Sequence, residues 1–134
     1  MKTFIGIDNG LDGGLVALDS DGAIVGRIVM PTIVCKKGRK VDAGEVANFV
    51  TSFHAPTVMI ESASKHSPGK LALCSTWFSF GGTRTAVELS GVPLSIVQPQ
   101  AWQKAFWTRP RLPKGEKFNT VSYTHLPLPT TPYV

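Results

Sequence analysis

The sequence predicts an α/β fold: a mixed five-stranded sheet, its first three strands antiparallel, flanked by helices. Three observations lead there. The first thirty residues break into three short apolar runs separated by glycine-bearing turns, the mark of an antiparallel meander. Two later runs, Thr57 to Glu61 and Leu94 to Val97, each follow a stretch of helical period. Such αβ units return parallel, through right-handed crossovers. Finally, Thr3-Phe4-Ile5-Gly6-Ile7-Asp8 and Thr57-Val58-Met59-Ile60-Glu61 are both strands closed by a carboxylate.

Taken in order, Thr3 to Asp8 is the first strand, and the turn Asn9-Gly10-Leu11-Asp12-Gly13 leads to a second at Gly14 to Asp19. Asp19-Ser20-Asp21-Gly22 is a hairpin turn into a third strand, Ala23 to Met30, which Pro31 ends. Lys36, Lys37, Arg39 and Lys40 then read as an exposed basic loop. Asp42 with Glu45 three residues later has the form of a capping box, and Val46, Phe49, Val50 and Phe53 follow at helical spacing. After the fourth strand, Thr57 to Glu61, a long helical stretch runs from about Pro68 to Ser90 and stops at Gly91. Gly81-Gly82 inside it predicts either close packing of another helix or an interruption. Leu94 to Val97 is the fifth strand, and Pro99 opens a helix carrying Ala101, Trp102, Ala105 and Phe106.

From Val121 onward the chain has no Asp, Glu, Lys or Arg, no helical period and several prolines. That composition predicts a disordered Pro-rich tail over 121–134, natural or foreign, behind a single domain over 1–120.

The chain has 134 residues, a net charge of +5 and a pI near 9.5. The positive excess is clustered, in Lys36 to Lys40 and again in Arg109, Arg111, Lys114 and Lys117, which favours a polyanionic partner, nucleic acid first. The longest apolar runs fall short of the roughly 18–20 residues that span a bilayer, so no membrane association is expected. Met1-Lys2-Thr3 leads straight into a strand and does not read as a signal peptide. With that, Cys35 and Cys74 read as free thiols in a reducing, cytoplasmic setting.

Asp8 and Glu61 carry the chemistry. A charge at the end of a buried strand is costly unless it is paired. If the two strands are parallel neighbours, their ends lie roughly 5 Å apart. Two carboxylates at that distance repel unless a cation sits between them, and hard oxygen donors suit magnesium or manganese. The carboxyl ends of strands are also where open α/β sheets bind ligands. Ser64-Lys65-His66-Ser67-Pro68-Gly69 follows Glu61 directly, so Lys65, His66 and Lys70 are candidate phosphate contacts at the rim. The cations of Lys36 to Lys40 are a second candidate contact. Asp12, Asp19 and Asp21 belong to turns, with Asp12 the one expected nearest a metal; Trp77, Phe78 and Phe80 read as core or interface, and Trp102, Phe106 and Trp107 as core before base-stacking platforms.

Phe4-Ile5-Gly6-Ile7-Asp8-Asn9-Gly10, with Gly13-Gly14-Leu15-Val16-Ala17-Leu18-Asp19 behind it, resembles the opening of RuvC-like Holliday junction resolvases. Val58-Met59-Ile60-Glu61 resembles their second motif. Pro93-Leu94-Ser95-Ile96-Val97-Gln98-Pro99-Gln100-Ala101-Trp102-Gln103-Lys104 resembles the segment on their fifth strand and next helix, and Lys114-Gly115-Glu116-Lys117 the basic stretch before their last one. The resemblance implies a ribonuclease-H-like fold and a homodimer that cuts branched DNA by two-metal phosphodiester hydrolysis with magnesium or manganese, Asp8 serving both ions and Glu61 one of them. It also implies four acidic ligands, of which Asp8 and Glu61 are two. The other two would lie on a C-terminal helix, but the sequence has no Asp or Glu after Glu116. The expectation is therefore a domain without its last helix that binds junctions and cleaves weakly or not at all. Two alternatives share part of the pattern: a fragment of an actin-like ATPase or sugar kinase, which also opens Gly-Ile-Asp-x-Gly, and a non-catalytic junction-binding protein.

Overall fold

The computed structural model describes residues 1–66 and 69–106. Trp107, the basic cluster at Arg109 to Lys117, the domain end near 120 and the Pro-rich tail lie outside the described residues. Three strands open the chain, β1 (Thr3–Asp8), β2 (Gly14–Leu18) and β3 (Ile24–Val29), followed by a hairpin of β4 (Thr32–Cys35) and β5 (Gly38–Val41). Then come α1 (Ala43–Thr51), β6 (Pro56–Glu61), α2 (Lys70–Leu89), β7 (Leu94–Val97) and α3 (Pro99–Phe106). The main sheet has five strands in the order β3-β2-β1-β6-β7. β1 pairs antiparallel with β2, and β2 with β3, while β6 runs parallel to both β1 and β7. This is the predicted mixed sheet, with its first three strands antiparallel.

The pleat divides the strands into two faces. Ile5, Ile7, Leu15, Ala17, Val58 and Ile60 point to one face and are buried with Val46, Val50, Phe80, Ala86 and Val87 of the helices α1 and α2. Residues of the alternate parity, Phe4, Asp8, Val16 and Met59, are exposed. The site carboxylates therefore belong to the face opposite the core.

Of the capping box only the N-cap half forms, since Glu45 Oε1 accepts from Asn48 and the Asp42 N–H donates to Pro31. The Asp42 side chain accepts from the Glu45 backbone N–H at 3.2 Å and caps α1. Phe49 and Phe53, one turn apart, pack edge to face with centroids 5.0 Å apart. α2 ends at Leu89 with Ser90 as its C-cap, after which Gly91 takes a left-handed φ of 70°, the conformation that favours glycine just past a helix. α2 runs unbroken through Gly81-Gly82, and a Cβ at either would meet nothing within 4 Å. The helix is not interrupted, and among the described residues nothing packs closely against the pair. Of the aromatics beside it, Phe80 is buried, whereas Phe78 stands largely in solvent.

The basic segment corrects the sequence reading. It is a separate two-stranded sheet and not a loop, with Thr32 opposite Val41, Ile33 opposite Lys40, Val34 opposite Arg39 and Cys35 opposite Gly38. The β-branched run Thr32-Ile33-Val34 supplies one strand, and Gly38, at φ 120°, lets the chain return after Lys36-Lys37. Val41 is buried, β5 packs against α2, and the Asp42 N–H donates to the Pro31 carbonyl at 2.8 Å, closing the base of the hairpin. Cys35 and Cys74 are both free and exposed. Among the described residues, no helix is long and apolar enough to cross a membrane.

Candidate metal centre and nucleic-acid interface

The position of Asp8 follows from register. Ile7 of β1 pairs with Ile60 of β6, so Asp8 and Glu61 are the next residues along two parallel neighbours. β6 continues to pair beyond its end: Glu61 lies opposite Val97, and the Ser62 N–H donates to the Val97 carbonyl at 2.9 Å. Three strand ends thus come together at one edge. Between them lies a cleft of about 190 Å³ lined by Asp8, Asn9, Glu61, Ser62, Ala63, Ser64, Thr76 and Pro99. The two carboxylates named from the sequence share this one concavity.

The turn after β1 holds Asp8 in place through a close approach. Gly13 folds back over β1, its N–H donating to the Gly10 carbonyl at 3.1 Å. A Cβ at Gly13 would stand 2.1 Å from the Asp8 carbonyl oxygen, which no side chain can occupy. Glu61 is half-buried, and its Oε2 accepts a hydrogen bond from the Trp102 indole N–H at 3.2 Å. The Ser62 hydroxyl donates to Gln98 Oε1 at 3.1 Å, tying the exit of β6 to the residue that precedes α3.

The donor set fits one hard divalent cation. It comprises two carboxylates and the side-chain carbonyl of Asn9, whose Oδ1 is buried without a hydrogen-bond partner among the described residues. It does not fit the four-acid set that the resemblance implies. Among the described residues, no group of three or more His, Cys, Asp or Glu side chains is placed to hold a metal.

Other residues fall differently from the sequence reading. Asp12, expected nearest the metal, instead pairs with Arg39 of the hairpin at 2.7 Å, both side chains being solvent-accessible. Asn9 takes its place on the cleft wall. Ser64 lines the cleft, and its hydroxyl bonds both the N–H and the carbonyl of His66, leaving Lys65 and His66 exposed just beyond the rim. Lys70 is exposed at the start of α2. Lys36 and Lys37 form the hairpin tip, while Arg39 and Lys40 alternate across β5 and so point to opposite sides of it. The hairpin presents its cations around an arm instead of along one face.

Sequence reasoning missed Asn9 and Trp102 as members of the site. For Asn9 a signal existed: it adjoins Asp8 in a turn that must pass the strand end. For Trp102 there was none beyond its spacing from Pro99, because an aromatic at helical spacing usually packs in a core.

No protein-family model and no curated protein matches the chain. Solved structures do. RuvC of Thermus thermophilus in complex with a Holliday junction substrate superposes with a TM-score of 0.63 at 16% identity, covering 81% of this chain and 71% of that one. A second Thermus thermophilus RuvC structure gives a TM-score of 0.53 at 19% identity, covering 77% of this chain and 66% of that one. The fold is RuvC-like, the mixed five-stranded sheet with flanking helices of the ribonuclease-H-like class.

Proposed function

We propose that this chain is a RuvC-like resolvase domain that binds branched DNA through a divalent-cation site built on Asp8 and Glu61. One observation carries the reading: both carboxylates line a single cleft at the ends of parallel neighbours β1 and β6, in a fold shared with a junction-binding RuvC. In this reading Asp8 and Glu61 hold magnesium or manganese, with Asn9 Oδ1 as a neutral third donor. When bound, the cation supplies Lewis-acid polarisation of a phosphodiester and activation of water. The chain's own part is to fix the donors and the DNA. Lys65, His66 and Lys70 contact phosphates beside the cleft, and Lys36, Lys37, Arg39 and Lys40 contact a more distant arm of the junction.

With two acids lining the cleft among the described residues, this reading makes junction binding the stronger activity and phosphodiester hydrolysis weak or absent. A cytoplasmic setting, and a homodimer in the full-length parent that engages the junction with two copies of the cleft, complete the reading.

The test is a mobility-shift and cleavage assay with a four-way junction and a linear duplex of the same sequence. The expected result is magnesium-dependent preference for the junction, lost in Asp8→Asn, with little cutting. Equal affinity for both substrates would overturn the junction reading, and efficient cutting would overturn the prediction of weak hydrolysis. The ATPase or sugar-kinase alternative predicts thermal stabilisation by nucleotide, which the present reading does not.

A further inference from the structure

Glu61 is a flexible side chain, and to serve as a ligand it must be held in one rotamer. The structure places a neutral donor on it. The Trp102 indole N–H donates to Glu61 Oε2 at 3.2 Å, while Glu61 Oε1 has no hydrogen bond among the described residues. The donor is itself fixed from both sides. Pro99, at the start of α3, lines the same cleft, the Ala101 N–H donates to the Gln98 carbonyl at 2.9 Å, and Gln98 is bound to the buried Ser62 hydroxyl. Trp102 lies three residues beyond Pro99, one helical turn, which brings its half-buried indole over the end of β6.

We infer that Trp102 is a positioning residue for the cation site: its indole N–H holds Glu61 Oε2 so that Oε1 is presented to the ion. An indole suits this task because it donates one hydrogen bond in a fixed direction and carries no charge. A lysine or arginine at the same place would orient the carboxylate but compete electrostatically with the incoming cation. Partners of this kind, behind the ligands, commonly set metal affinity. The inference rests on the reading of Asp8 and Glu61 as a cation site.

The test uses the full chain and two readouts, neither of which depends on DNA cleavage. The first is the indole N–H resonance of Trp102, assigned by its disappearance in Trp102→Phe and followed in Glu61→Ala. The second is Mn²⁺ affinity measured by calorimetry in the wild type, Trp102→Phe and Asp8→Asn. The inference predicts that Glu61→Ala shifts the Trp102 resonance and that Trp102→Phe weakens Mn²⁺ binding about 10-fold. An unmoved indole resonance, or equal Mn²⁺ affinity in Trp102→Phe, overturns the positioning role while leaving the cation site standing. A wild-type chain that binds no Mn²⁺ overturns the cation site itself, and the positioning role falls with it.

Discussion

The two faces of the main sheet are made by alternate residues of the same strands, yet they do different work. On the helix side of β6, Val58 and Ile60 are fully buried; on the other side Met59 is 51% exposed and Glu61 borders the cleft. β1 repeats the pattern, with Ile5 and Ile7 in the core and Asp8 at the surface. One face holds the molecule together and the other carries the two carboxylates that line the cleft. A one-residue slip of either strand would exchange the two, so the core also fixes the register that brings Asp8 beside Glu61.

That division can be broken from the core side first. Ile60→Ala should cost about 2–5 kcal/mol by denaturant unfolding, whereas Met59→Ala, one residue away, should stay within about 0.5 kcal/mol. Comparable losses at both positions would mean that the outer face is packed as well. Gly13→Ala comes next. The new Cβ meets the Asp8 backbone carbonyl and not a movable side chain, so a loss of about 1–3 kcal/mol is expected, together with weakened Mn²⁺ binding. Full Mn²⁺ affinity in that variant would separate the turn from the site.

The comparison sharpens at the hairpin, which has little core of its own. Lys37→Ala should leave thermal stability unchanged and lower the slope of log affinity against log salt for junction DNA by about 1. An unchanged slope would make the arm an ordinary solvated hairpin. The smallest effect lies in α2, where the Thr83 hydroxyl is fully buried with no hydrogen-bond partner among the described residues. Thr83→Val keeps the shape and removes the unsatisfied group, and should raise stability by about 1 kcal/mol. A loss there would reveal a partner for that hydroxyl.

The sheet was legible because its strands obey one rule, an apolar run closed by a turn or a carboxylate, and because αβ units can return in only one hand. The same rule found Asp8 and Glu61. It failed at Lys36 to Lys40, where four cations in five residues suggested a solvated loop. The strand there depends on the preceding Thr32-Ile33-Val34 and on Gly38. The reading of Asp12 failed because a salt bridge to a hairpin 27 residues away cannot be seen from turn chemistry. Trp102 was illegible for a similar reason. Its contact with Glu61 spans 41 residues and exists only because β7 lies next to β6, which delivers α3 to the cleft.

The central claim is that a divalent cation binds where β1 and β6 end together. Paramagnetic Mn²⁺ added to the ¹⁵N-labelled chain reports this directly, because it broadens amide resonances near the ion. Broadening centred on Ile7 to Gly10 and Ile60 to Ser64, together with the Trp102 indole, is the predicted result. Broadening centred on the Asp19-Asp21 turn, or spread evenly over the surface, would contradict it.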